Sequence, residues 1–282
     1  MSPPIVPEDI GSVVRNALAE DIGAGDVTAQ LIDPGSSAVA DIVCRESAVL
    51  CGTAWVDETF AALDGQCRVQ WNRHDGDAVA EDERVCTIEG PARALVTGER
   101  TALNFLQTLS GTATATRHYA SQLQGTGTTL LDTRKTLPGL RSAQKYAVVC
   151  GGGKNHRIGL FDAILIKENH IEAAGSIEAA ITRMRKQFPD LTLEIEVETI
   201  DELEVALACG ADILLLDNFS NTDLRRAVAV NGNRVKLEAS GGFEQEGLRA
   251  VAETGVDFIS IGALTKHLRA TDFSMRFRPT DP

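Results

Sequence analysis

From residue 128 onward, six short apolar runs (129–131, 163–166, 193–197, 213–216, 235–237 and 258–261) recur at intervals of roughly 20 to 35 residues. Helix-patterned segments lie between them, so this spacing predicts successive βα units. Right-handed crossovers bring such strands into one parallel sheet. Polar residues collect where each run ends. Asp132, Thr133, Arg134 and Lys135 follow the first run, and Lys167, Glu168 and Asn169 the second. Glu194, Glu196 and Glu198 punctuate the third, and Asp217-Asn218 close the fourth. Glu238 to Gly242 close the fifth, and Gly262 the sixth. An open sheet would spread these groups along one edge, whereas a barrel gathers them at a single mouth. A barrel is therefore expected.

The first hundred residues have another rhythm. Ile10, Val13, Val14, Ala17 and Leu18 predict an amphipathic helix over 8–19, with Gly23 as its stop. Strands are expected at 38–44, 67–72 and 84–88, parted by turn signals such as Asp64-Gly65 and Asp75-Gly76, with a helix at 55–63 among them. A helix over 99–109 leads onward. The expected fold class is thus α/β, with an α/β sandwich domain at 1–108 and a barrel at 109–269, and with 270–282 packing back on the first domain.

The chain carries 27 Lys and Arg against 40 Asp and Glu, a formal charge of −13, which argues against nucleic-acid and anionic-membrane partners. No apolar run approaches the roughly 18 residues that span a bilayer. The start, MSPPIVPEDIG, lacks a secretory pattern. Cysteines 44, 51, 67, 86, 150 and 209 include no C-x-x-C pair and read as buried thiols of a cytoplasmic protein.

Against that acidic background, 133–167 holds Arg134, Lys135, Arg141, Lys145, Lys154, Arg157 and Lys167, with Asp162 the sole acid. Two cations about 4 Å apart repel by about 4 kcal/mol at an effective dielectric near 20, so a converged cluster needs anions, and a substrate can supply them. A solvated basic face is the plain alternative. The position of Arg134, Lys135 and Lys167 at strand ends speaks against it.

Within this stretch, Gly151-Gly152-Gly153-Lys154-Asn155-His156-Arg157 offers backbone N–H groups to an anion, or else is an ordinary flexible loop. It is not a Walker A loop, because Asn155 stands where Ser or Thr is required, and no G-x-G-x-x-G follows a strand. Glu194, Glu196 and Glu198 share one strand face. With Asp217 they suit ribose hydroxyls, an oxocarbenium ion or Mg²⁺ held through water, or else a structural ion-pair network. Ser240-Gly241-Gly242 and Gly262-Ala263 follow the last two strands, where barrels commonly bind phosphate.

The runs ERTALNFLQTLSG (99–111), LDTRKTLPGLRSAQKYAVVCGGGKNHRIGLFDAILIKENH (131–170), LDNFS (216–220), EASGG (238–242) and GALTKH (262–267) closely resemble the quinolinate phosphoribosyltransferase family. AEDIGAGDVT (19–28) matches its amino-terminal signature, so the likeness covers nearly the whole chain. The resemblance implies an α/β sandwich domain with an incomplete (β/α) TIM-like barrel, and homodimers, with higher order left open. It also implies decarboxylating transfer from phosphoribosyl pyrophosphate to quinolinate, giving nicotinate mononucleotide, pyrophosphate and CO₂ in NAD biosynthesis, usually with Mg²⁺.

By the same resemblance, Arg100 reaches the neighbouring subunit's site. Thr133, Arg134, His156, Arg157 and Lys167 bind substrate, and Lys135 lies near both reactants. Glu196 and Asp217 serve the ribose and the metal, and Ser240, Gly241, Gly242, Gly262 and Ala263 the phosphate. Lys135, Glu196 and Asp217 are the catalytic candidates.

Three other readings stay open at this point. A Schiff-base aldolase would use Lys167 as imine former. A related phosphoribosyltransferase would act on an aromatic acid without loss of CO₂. A noncatalytic anion binder would hold the ligands and release no pyrophosphate.

Overall fold

The computed structural model describes residues 5–243 and 245–278, so that 279–282, part of the expected carboxyl-terminal packing segment, lie outside the described residues. The amino-terminal elements are α1 (Ile10–Ile22), β1 (Ser37–Cys44), β2 (Ala48–Val49), α2 (Thr53–Leu63), β3 (Arg68–Trp71), β4 (Ala78–Val79), β5 (Arg84–Pro91) and α3 (Ala92–Gln122). Then come β6 (Thr129–Leu131), α4 (Arg141–Gly151), β7 (Ile164–Ile166), α5 (Glu168–Ala174), α6 (Ile177–Gln187), β8 (Leu193–Val197) and α7 (Ile200–Ala208). The chain continues through β9 (Ile213–Asp217), α8 (Asn221–Asn231), β10 (Lys236–Ser240), α9 (Leu248–Ala252), β11 (Phe258–Ser260), α10 (Ala263–Lys266) and β12 (Phe273–Phe277). They form two compact units, one of residues 1–117, 136–152 and 264–282, the other of 118–135 and 153–263.

In the first unit an antiparallel sheet runs β12-β1-β5-β3. Alternate residues Ala40, Ile42 and Cys44 of β1 are buried, the period expected of a strand with one covered face. Phe60 of α2 and Leu95, Leu103 and Leu106 of α3 share the same core. On α1, Ile10, Val14 and Leu18 form a buried stripe at four-residue spacing. The α3 helix is 31 residues long, far beyond the 99–109 expected, and continues through Gly98 and Gly111. Both glycines permit close packing: a Cβ on Gly98 would meet the Phe60 ring at 2.8 Å, and one on Gly111 the Arg269 carbonyl oxygen at 2.2 Å.

The second unit contains the six expected strands in one sheet of order β6-β11-β10-β9-β8-β7, parallel at every pairing. The order follows the chain around a ring, with no reversal of the kind that defines a doubly wound sheet. Among the described residues the ring is open between β6 and β7. Lys154 occupies the free edge of β6 instead, its N–H donating to the Leu130 carbonyl and its carbonyl accepting from Asp132 N–H. That pairing delivers the next residues, Asn155 to Arg157, beside the carboxyl end of β6. The sheet is buried on both faces at Leu193, Glu194 and Ile195, as in a strand with helices outside and a packed lumen inside.

Candidate active site

Five of the seven cations belong to the barrel unit, at or beside strand ends: Arg134, Lys135, Lys154, Arg157 and Lys167. The other two do not lie at strand ends. Arg141 and Lys145 lie on α4 in the first unit, Lys145 only 2% exposed, so the sequence run of seven overcounts the strand-end cations. The single acid of the run, Asp162, accepts the N–H groups of Ile158 and Gly159 and shapes a turn.

Arg134, Arg157 and Lys167 line one cavity of about 750 Å³, together with the β7 residues Ile164, Leu165 and Ile166 and with Met184 of α6. Leu160 and Phe161, 74% and 76% exposed, stand at its rim. The Arg134 Nε is buried and has no hydrogen-bond partner. Burial, and then the charge of Arg134, loosens the hold of the Arg157 guanidinium on its proton, while Glu194 and Asp162 oppose that shift. Two like charges and an orphaned donor beside an open cavity make a site whose missing component is an anion.

The carboxylates sit at the next strand ends. Glu196 pairs with the Lys167 Nζ at 2.5 Å. Burial raises the Glu196 pKa, Lys167 lowers it, and the charge of Asp217 raises it again, so the two acids sense each other across β8 and β9. Asp217 accepts from the Asn218 amide at 2.7 Å. Paired hard oxygen donors of this kind suit Mg²⁺, which characteristically takes one or two carboxylates plus substrate phosphates. Glu198 does not join them. It is exposed beyond the end of β8, and its N–H donates to the Glu202 carboxylate.

Ser240 ends β10, and Gly241 follows at φ +150°, backbone that side chains rarely adopt. Gly262 follows β11, and a Cβ there would lie 2.8 Å from Lys135 Cδ and 3.5 Å from Thr133 Oγ1. The Thr133 hydroxyl in turn accepts the Lys135 N–H at 3.1 Å. Gly262→Ala is therefore expected to displace the Lys135 side chain and to weaken binding of a phosphate-bearing ligand several-fold, with the thermal midpoint within about 2 °C of the parent. Ala263 opens α10. Arg100 is exposed on α3 of the first unit.

The Gly151-Gly152-Gly153 loop is the clearest correction. Gly151 is the last residue of α4, and Gly152 caps it at φ +98°, its N–H bonded to carbonyls at Val148 and Val149. The Arg117 guanidinium holds the helix-terminal carbonyls of Cys150 and Gly151 at 3.1 and 3.0 Å. Two of the three glycines thus terminate a helix and present no free N–H to an anion.

Strand extent and topology conceal the remaining groups. The fifth strand runs through Glu238 to Ser240, so Glu238 is a lumen residue, 1% exposed, where the sequence suggested a strand end. Glu194 is 3% exposed. His156 Nε2 lies 2.8 Å from Glu194 Oε2 and 3.6 Å from Glu238 Oε2. Its Nδ1 accepts the Arg157 N–H at 2.7 Å, and its own N–H donates to Asp132. The alternation of 194 with 196 was the one available signal for Glu194; nothing local marks its approach to Glu238.

Two family models match the chain: "Quinolinate phosphoribosyl transferase, N-terminal domain" over residues 26–110 and "Quinolinate phosphoribosyl transferase, C-terminal domain" over 112–276. A nicotinate-nucleotide pyrophosphorylase [carboxylating] of Mycobacterium leprae is 40% identical over 271 residues, covering 93% of this chain and 95% of that protein. A chloroplastic nicotinate-nucleotide pyrophosphorylase [carboxylating] of Arabidopsis thaliana is 38% identical, covering 98% and 85%. The solved structure of the nicotinate-nucleotide pyrophosphorylase from Francisella tularensis superposes with a TM-score of 0.95 at 47% identity, covering 99% of each chain.

Proposed function

Because this chain belongs to the quinolinate phosphoribosyltransferase family, we propose that it transfers the phosphoribosyl group of phosphoribosyl pyrophosphate to the ring nitrogen of quinolinate, releasing pyrophosphate and CO₂ and leaving nicotinate mononucleotide for NAD biosynthesis. The observation that carries this reading is the cavity lined by Arg134, Arg157 and Lys167, with the buried Arg134 Nε lacking a partner. A planar dicarboxylate supplies the two charges and the lone pairs that these donors lack. The apolar wall of β7 and Met184 accepts its ring face.

The chemistry follows from what each group holds. Arg134, Arg157 and Lys167 bind the two carboxylates and orient the pyridine nitrogen toward ribose C1, with His156 beside them and Thr133 and Lys135 at the boundary between reactants. As the C1–O bond to pyrophosphate breaks and the N–C1 bond forms, positive charge develops on the ribose, and Glu196 and Asp217 stabilise it. Mg²⁺ held by those two carboxylates would neutralise charge on the departing pyrophosphate. The ring nitrogen is then quaternary. Its charge stabilises the electron pair left on the adjacent carbon when that C–CO₂ bond breaks, and the carbon takes up a proton. Orientation and electrostatics therefore count for more than a strong base. Ser240, Gly241, Gly242, Gly262 and Ala263 receive the ribose phosphate.

The same reading includes a homodimer in which Arg100 completes the neighbouring site, and a cytoplasmic location, in keeping with six unpaired cysteines. Among the described residues no helix is long and apolar enough to cross a membrane.

A coupled assay is expected to show quinolinate-dependent release of pyrophosphate and CO₂ in equal amounts. Pyrophosphate without CO₂ would indicate transfer to another aromatic acid. Neither product would indicate a binding protein. Borohydride trapping of a carbonyl on Lys167 would indicate an aldolase.

A further inference from the structure

The barrel lumen holds two carboxyls, beside His156, that the steps above leave idle. Glu194 on β8 and Glu238 on β10 flank the central strand β9 and converge on one imidazole, the three ligating atoms lying within 4.8 Å of one another. Glu194 Oε1 and both oxygens of Glu238 are buried and make no hydrogen bond of good geometry, although the Ser260 hydroxyl and Glu194 lie close to Glu238. Desolvated oxygens of this kind are costly, so their retention beside a substrate cavity calls for a role.

The ring they face is engaged at both nitrogens. Nδ1 accepts the N–H of Arg157, which puts the ring proton on Nε2, where Glu194 receives it. Ring orientation and the backbone at Arg157 are thereby one unit. The adjacent backbone is fixed as well, since the carboxylate of Asp132 accepts from both His156 N–H and the Asn155 amide. The side chain leaving this clamped backbone is the Arg157 guanidinium that lines the cavity.

We propose that Glu194 and Glu238 are positioning residues for quinolinate: Glu194 holds His156 through Nε2, with Glu238 beside that contact, and through the ring Nδ1 the Arg157 backbone is fixed and its guanidinium aimed at the dicarboxylate. The inference rests on reading the cavity as the quinolinate site. Two adjacent carboxyls in a dry lumen resist ionising together. Burial first, and then the charge of Glu194, pushes Glu238 up to about 8, with His156 opposing. Below that pH Glu238 keeps its proton, and Glu194 Oε2 lies 2.8 Å from His156 Nε2. Above it a second charge arises beside His156 and Glu194. Level with Glu238 on the same face lie Leu215 on β9, Phe258 on β11 and, one strand further, Glu196 on β8, while Asp132 accepts the His156 N–H; Glu196 and Asp132 are the other titratable groups of this neighbourhood.

The test compares full-length parent, Glu194→Gln and Glu238→Gln by separate KM determinations for the two substrates, quinolinate binding calorimetry from pH 6 to 9, and thermal unfolding. Glu194→Gln is expected to raise the quinolinate KM about tenfold or more while the KM for phosphoribosyl pyrophosphate stays within about twofold. In the parent, quinolinate affinity falls as pH rises through about 8, and Glu238→Gln removes that alkaline limb. Equal loss for both substrates, or a lowered thermal midpoint with an unchanged quinolinate KM, overturns the inference and leaves the two acids a purely structural role. A parent that releases no pyrophosphate with quinolinate overturns the functional reading and this inference together. An active parent with an indifferent Glu194→Gln overturns the inference alone.

Discussion

Arg134→Ala is expected to raise the quinolinate KM at least about thirtyfold while the folded state survives, and Lys167→Ala to produce a loss of similar order. Truncating one member of a buried, charge-assisted pair costs about 2–5 kcal/mol, or about thirty- to several-thousandfold in affinity. The Arg134 Nε qualifies because its partner is absent from the chain itself. For the same reason its removal forfeits no protein hydrogen bond at that atom, and it relieves the repulsion that burdens Arg157. The thermal midpoint of Arg134→Ala should therefore equal or exceed that of the parent, the usual signature of a site residue held at the expense of stability. Lys167→Ala differs, since it also leaves Glu196 beside Asp217 without its counter-ion. Its KM for phosphoribosyl pyrophosphate should rise too, whereas that of Arg134→Ala should not. Steady-state kinetics with each substrate varied, alongside thermal unfolding, checks both; unchanged Michaelis constants in the two variants would remove the site assignment.

What was legible in the chain, and what was not, follows from the range over which each signal acts. The six barrel strands could be read because a buried parallel strand is a short apolar run bounded by polar residues, and 129–131, 193–197 and 213–216 fall within a residue of the observed elements. The strand-end cations and the Glu196–Asp217 pair were legible for the same reason: a barrel turns position along a strand into position at the mouth. Boundaries failed where a polar residue belongs inside an element. Glu238 reads as the end of its run, yet the strand continues to Ser240, because a lumen can hold a carboxyl that burial keeps protonated. Its meeting with Glu194 depends on sheet order, with β9 lying between, and no local spacing encodes that. The α3 helix runs past the expected 99–109 at both ends, through Gly98 and Gly111, residues of low helix propensity that the close approach of their neighbours demands.

The glycine loop sets the second large expectation, because its two readings predict opposite outcomes. If 151–153 cradled an anion, Gly151→Ala would raise a Michaelis constant and leave stability alone. The structure argues the reverse. A Cβ on Gly151 would lie 2.5 Å from the Ala113 carbonyl oxygen and 2.5 Å from Thr116 Cβ, both on α3, so the end of α4 could no longer rest on that helix. A side-chain tip could swing away, but a backbone carbonyl can retreat only if the helix moves, and Arg117 ties the same turn through the Gly151 and Cys150 carbonyls. Overpacking of this kind costs about 1–3 kcal/mol, and the roughly 1 kcal/mol that Ala gains over Gly in helix propensity offsets only part of it. Gly151→Ala should thus lower the thermal midpoint by several degrees, and Gly151→Val, with two further methyl groups in the same gap, should lower it far more or prevent folding. Whatever fraction of Gly151→Ala is folded should keep the parental quinolinate KM, since no N–H is withdrawn from a ligand. A stable Gly151→Ala with impaired anion binding would restore the loop to the active site and make the tight α3–α4 contact dispensable.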